Sequence, residues 1–194
     1  QDLGLDPALP VDVCLAGGTP VLPGVTFGAI AGPLTLDPGR YDIEVRLAAG
    51  TPCTGGLATL TTLLLSVAES STVVAHLTEE GTPALTKFVN DVRPAAQGSA
   101  RVVARHGAGV GPVSVTLSKG GKQAVIPFLD NSDQFATEVM AGSWAVRIFP
   151  FGSRKPVFGP AIVNLEANTV SYAYAVGSLA KGSFAVVLQT LPLP

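Results

Sequence analysis

Two histidines, two cysteines and fourteen carboxylates are the residues of this chain whose types could do chemistry beyond packing. His76 and His106 are the candidate imidazole bases, and a hydrolytic site needs such a base beside a nucleophile and an orienting group. His76 falls in the apolar run from Thr72 to Leu77, and His106 closes Arg101-Val102-Val103-Ala104-Arg105-His106 beside glycines. Those settings describe a sheet-face residue and a turn residue. The strained Gly-x-Ser-x-Gly turn that exposes a catalytic serine does not occur. Cys14 and Cys53 lack the cationic or helix-start surroundings that favour a thiolate, and their separation is not that of a zinc site. Their natural reading is a disulfide closing a loop of about 40 residues, worth ~2–4 kcal/mol through the unfolded chain. Two buried free thiols are the alternative. A disulfide implies an oxidising, extracellular location.

The carboxylates are scattered. Asp130-Asn131-Ser132-Asp133 offers oxygen atoms at a spacing calcium can use, with Asp130 and Asp133 as weak ligand candidates. It lacks the EF-hand pattern, which favours an ordinary polar turn. Glu79-Glu80 reads as a solvated loop, and Ser118-Lys119-Gly120-Gly121-Lys122 as a hairpin turn rather than a phosphate cradle. Phe149, Phe151 and Phe158, with Trp144, Tyr172 and Tyr174, suggest either core packing or a sugar-stacking platform, and alternation along the strands favours the core. We therefore expect no catalytic residue, no cofactor and no enzyme.

The elements that carry these residues follow from composition and periodicity. Of 194 residues only 13% are charged, against about 25% in ordinary domains. With 47% hydrophobic residues and mean hydropathy +0.43, there is ample apolar surface for a core. A net charge of −2 argues against nucleic acid as a partner. No uncharged run reaches the ~18–20 residues of a membrane span, so membrane insertion is not expected. The chain starts at Gln1 without Met or a signal peptide, which suggests a removed leader or a trimmed chain.

Self-similarity organises the rest. Pro10-Val11-Asp12-Val13-Cys14-Leu15 echoes Pro112-Val113-Ser114-Val115-Thr116-Leu117, and Gly39-Arg40-Tyr41-Asp42-Ile43-Glu44-Val45 echoes Gly142-Ser143-Trp144-Ala145-Val146-Arg147-Ile148. Glu69-Ser70-Ser71-Thr72-Val73 echoes Glu166-Ala167-Asn168-Thr169-Val170. Two copies of one domain, residues 1–93 and 98–194, account for this order. Each copy reads as strands. Tyr41, Ile43, Val45 and Leu47 alternate with Asp42, Glu44 and Arg46, as do Trp144, Val146 and Ile148 with Arg147, the period of a half-buried strand. Leu57 to Ala68 has a helix-like composition, but its threonines favour a strand. The expected class is all-β: two tandem Ig-like sandwiches of antiparallel sheets.

Asp6-Pro7-Ala8-Leu9-Pro10-Val11-Asp12-Val13, Val25-Thr26-Phe27-Gly28, Leu36-Asp37-Pro38-Gly39-Arg40-Tyr41 and Val45-Arg46 together resemble the domain of unknown function DUF4397. The resemblance spans most of Asp6 to Val89 and, more weakly, Ala100 to Gln189. It implies a secreted or surface-displayed Ig-like sandwich of bacteria and archaea, often in tandem, with no established catalytic residues to transfer. The second copy departs from the family pattern by replacing its Asp-Pro turn with Gly107-Ala108-Gly109-Val110-Gly111.

Aligning Pro10 with Pro112 sets Gln1 opposite Val103, so the first copy is expected to lack most of an opening strand. Gln1, Asp2 and Leu3 then mark an incomplete sheet edge that strand addition by another chain could fill. Charge is also divided: residues 1–97 carry four Lys/Arg against ten Asp/Glu, a net −6, and residues 98–194 eight against four, a net +4. Opposite halves favour head-to-tail contacts, which repeat into rings or filaments. The expected role is a secreted structural subunit of a filament-like cell-surface assembly, its partners copies of itself or a surface polymer. The alternative is a monomeric carbohydrate- or surface-binding module.

Overall fold

The computed structural model describes residues 9–15, 18, 20–48 and 58–194, with side chains described for all of these but 58–62. All regular structure among them is β. The chain divides into two compact units, Gln1–Asn90 and Asp91–Pro194.

The first unit contains β1 (Val11–Leu15), β2 (Pro20–Val25), β3 (Gly39–Leu47), β4 (Ala58–Leu65), β5 (Ser71–Leu77) and β6 (Pro83–Val89). The first four form one sheet in the order β2-β1-β3-β4, and β5-β6 form a two-stranded sheet, every pair antiparallel. Within the run from Leu57 to Ala68, Ala58–Leu65 is thus a strand, as its threonines suggest. Ile43 and Val45 on β3 are buried, following the period of two. Leu47, the last of that apolar series, is exposed where β3 ends. The polar face of β3 departs further from a half-exposed strand. Asp12 and Arg46, directly opposite in register, are both 4% exposed and form an ion pair at 3.3 Å. The second Asp12 oxygen accepts the Gly24 N–H at 2.9 Å. Charge is tolerated there because the carboxylate and the guanidinium offset each other.

The second unit contains β7 (Ser99–Gly109), β8 (Val113–Lys119), β9 (Lys122–Leu129), β10 (Gln134–Met140), β11 (Gly142–Pro150), β12 (Phe158–Leu165), β13 (Thr169–Ser178) and β14 (Ala185–Pro192). Two four-stranded sheets, β10-β7-β13-β14 and β12-β11-β8-β9, share one core. Ala100 and Val102 of the first belong to one buried cluster with Leu117, Ile126 and Trp144 of the second. The sandwich is not wholly antiparallel. β7 and β13 run parallel, in register from Val170 opposite Arg101 to Ser178 opposite Gly109. The opening strand of the unit lies between β10 and β13, and the connections bring β13 back in the same direction. β7 also runs three residues beyond His106, so that histidine is a strand residue rather than a turn residue. Gly120 and Gly121, both at positive φ, form the β8–β9 hairpin turn.

Residues 91–96 are fastened to the second unit. The Arg101 guanidinium donates to the carbonyls of Asp91, Arg93 and Pro94 at 3.1, 2.7 and 3.2 Å.

Candidate interaction surface

In the second unit β13 lies between β7 and β14, whereas β5 of the first unit has one ladder partner among the described residues, β6. The second unit inserts β10 between β9 and β11. The first unit joins β2 to β3 through residues 26–38, which form no strand, and Phe27, Ile30 and Leu34 there are 40%, 50% and 47% exposed. Val113, Val115 and Leu117 on β8 are buried, but Val11, Val13 and Leu15 on β1 are only half-buried. Among the described residues of the first unit, the apolar side chains of Phe27, Ile30 and Leu34 are therefore open, the kind of surface that marks an interaction site.

Charge separates along the same division. Residues 1–90 carry three Lys/Arg against nine Asp/Glu, a net −6, and residues 91–194 carry nine against five, a net +4.

The residues picked out in the sequence fall as follows. Gln1, Asp2, Leu3 and Cys53 lie outside the described residues. Cys14 is fully buried on β1, on the same face as Asp12 and opposite Glu44 of β3. Asp130 and Asp133 spend their oxygens on their own turn: Asp130 Oδ1 accepts from Asn131 N at 2.9 Å and Asp133 Oδ2 from Asp130 N at 3.3 Å. Among the described residues no three His, Cys, Asp or Glu are grouped to hold a metal. His76 is buried, its Nδ1 3.1 Å from the Leu77 carbonyl and its Nε2 2.8 Å from Thr86 Oγ1. His106 is buried too, its Nε2 3.2 Å from the carbonyls of Val110 and Gly111.

The aromatic residues divide. Trp144 packs in the core and donates its indole N–H to the Met140 carbonyl at 2.9 Å. Tyr172 and Tyr174 are buried on the other face of their sheet, where Arg105 stacks 4.4 Å from the Tyr172 ring centroid and donates to Tyr174 Oη at 3.0 Å. Burial pulls the Arg105 pKa down and pushes that of Tyr172 up. Phe151 is exposed and meets Phe128 edge to face, with centroids 5.1 Å apart and planes at 81°.

Sequence reasoning passed over Arg101 and Arg105 as sites of structure. The available signal was a pair of arginines four residues apart, on one face of an otherwise apolar strand. Arg101 also pairs with Glu138 at 2.8 Å. The Ala96 N–H and that guanidinium hold the Glu138 carboxyl below its ordinary pKa. Asp91 is held far lower, chiefly by its hydrogen bond from Arg93.

None of the curated proteins matches the sequence. A crystal structure from Bacteroides ovatus ATCC 8483, of a protein assigned a candidate role in cell adhesion, superimposes with a TM-score of 0.34 at 8% identity. It covers 100% of this chain and 90% of that one, a likeness too slight to assign fold or role. The profile of the domain of unknown function DUF4397 matches residues 6–116. That match spans more than half of the 194 residues, and the chain belongs to the DUF4397 family.

Proposed function

We propose that the protein is a secreted, non-enzymatic structural subunit that associates with copies of itself at the cell surface. In this reading the two units are copies of one Ig-like domain. The first is the acceptor, since its apolar surface around Phe27, Ile30 and Leu34 is left uncovered. That uncovered surface is the observation that carries the reading. Burial of it supplies affinity at roughly 25 cal/mol per Å² of apolar area, while the −6 and +4 halves set a head-to-tail register. Head-to-tail contacts of this kind propagate into filaments or rings. Strand addition by a neighbouring chain at the edge expected around Gln1, Asp2 and Leu3 is the stronger form of the same contact. A Cys14–Cys53 disulfide suits the oxidising setting the role requires.

A monomeric polysaccharide-binding module has less support. Its platform would need coplanar exposed rings, and Phe128 and Phe151 stand at 81°. Negative-stain electron microscopy of native secreted material separates the two. Ordered filaments or rings are expected, and isolated particles that bind polysaccharide would favour the module.

A further inference from the structure

We infer that His106 is a pH-sensitive latch, holding one end of the second unit closed at neutral pH and releasing it in mild acid. The ring is completely buried, on the face of β7 that also carries Ala104 and Ala108. Its two nitrogens have different tasks. Nε2 faces two acceptors, the carbonyls of Val110 and Gly111, each at 3.2 Å, so it carries the proton. Nδ1 accepts the Ala108 N–H at 3.4 Å, so it carries none. The neutral Nε2–H tautomer satisfies all three contacts. A proton added at Nδ1 points one N–H at another, and that contact turns repulsive.

The backbone of the same residue holds a second turn. His106 N donates to the Asp133 carbonyl at 3.0 Å, and its carbonyl accepts from Ser132 N at 2.7 Å. Asn131 Nδ2 reinforces this by donating to the Ala108 carbonyl at 2.9 Å. One residue thereby ties the β7–β8 connection to the β9–β10 turn.

The charges that reach the ring are Asp130 and Asp133, in the β9–β10 turn, and both favour the protonated form. Arg105, next along β7, points to the opposite face with Tyr172 and Tyr174. β13 presents Ala175 in register, and the β7–β8 connection presents only carbonyls. Burial outweighs the hydrogen bonds to the Gly111 and Val110 carbonyls and the two acids, and lowers the ring's pKa from its ordinary value. The open form therefore takes a proton near pH ~6.5 while the closed form refuses it. Closure is at full strength above ~6.5 and is lost as pH falls from there toward the folded-state value.

Amide hydrogen exchange on the full chain between pH 7.5 and 5.5, corrected for intrinsic rates, reads the latch directly. Protection at His106, Val110 and Ser132 should fall below pH ~6.5, by up to about tenfold per pH unit. The variant His106→Gln keeps a donor and an acceptor but does not titrate, and its protection should stay flat across that range. Equal losses in both proteins, or flat protection in the wild type, would overturn the latch. If His106→Gln does not fold, the ring nitrogen shifts of the wild type decide. An Nε2–H ring that persists below the ordinary histidine range, with protection falling between that range and the pH at which the ring protonates, supports the latch. Ordinary titration with unchanged protection contradicts it.

Discussion

Arg101 on β7 and Glu138 on β10 stand directly opposite in register and form an ion pair at 2.8 Å. The same guanidinium donates to the carbonyls of Asp91, Arg93 and Pro94, and Glu138 Oε2 accepts the Ala96 N–H at 3.1 Å. One cross-strand pair thus fixes the chain that enters the second unit. Arg101→Met keeps most of the apolar stem and removes every one of these donations. Charge-assisted bonds of this kind are worth about 1.5–3 kcal/mol. Urea denaturation should show a loss of about that size, with the amides of residues 91–96 exchanging faster.

Acid acts on the same network. Asp91 and Glu138 have folded-state pKa values below those of free carboxylates, through Arg93 and through Ala96 with Arg101 respectively. Their contribution is complete above about pH 4 and is lost as pH falls through the folded-state values. Thermal melts between pH 5 and 2 should show a decline that Glu138→Gln makes shallower.

In the first unit, the Asp12–Arg46 pair is buried on both sides. Asp12→Ala removes the carboxylate from beside a buried guanidinium and frees Gly24 N of its acceptor. Breaking such a pair costs about 3–5 kcal/mol. Denaturant titration should show the first unit unfolding early, with the second little changed. Equal loss in both units would assign the pair a different role.

Gly159 has φ +85°, and a Cβ there would collide with the Val146 carbonyl across the β11–β12 pair. Gly159→Ala should lower stability by more than the ~1 kcal/mol usual for point changes. An unchanged melting temperature would show that the β11–β12 pair rearranges freely around this position.

The strands of this protein are legible because they are local. Tyr41-Ile43-Val45 and Trp144-Val146-Ile148 spell out their buried face at a spacing of two, and Gly120-Gly121 announces its hairpin. Relationships between distant residues are not spelled out. Nothing local marks Arg46 as the partner of Asp12, and a charged residue on the polar face of a strand reads as exposed until its cross-strand neighbour is known. The parallel β7–β13 pair is hidden for the same reason, since direction depends on the path of the intervening strands. His106 reads as a turn residue because Gly107 and Gly109 follow it, yet the ladder with β13 carries the strand through both. Whether the apolar residues of 26–38 are covered is likewise not written in their own sequence. Phe27, Ile30 and Leu34 have the composition of a core and the exposure of a surface.

The substitution series Phe27→Ser, Ile30→Ser and Leu34→Ser tests that surface separately from the fold. These side chains are already solvent-exposed, so the triple variant should retain its melting temperature within a few degrees and lose self-association. A large drop in melting temperature would reassign them to the core.

The most direct test of the account is light scattering of the intact chain over a range of concentrations at ~0.01 M and ~0.15 M salt, where the screening length falls from about 30 to 8 Å. The account predicts a mass above the 19.7 kDa monomer that grows with concentration and shrinks as salt rises. A constant monomer mass at every concentration and salt would contradict it.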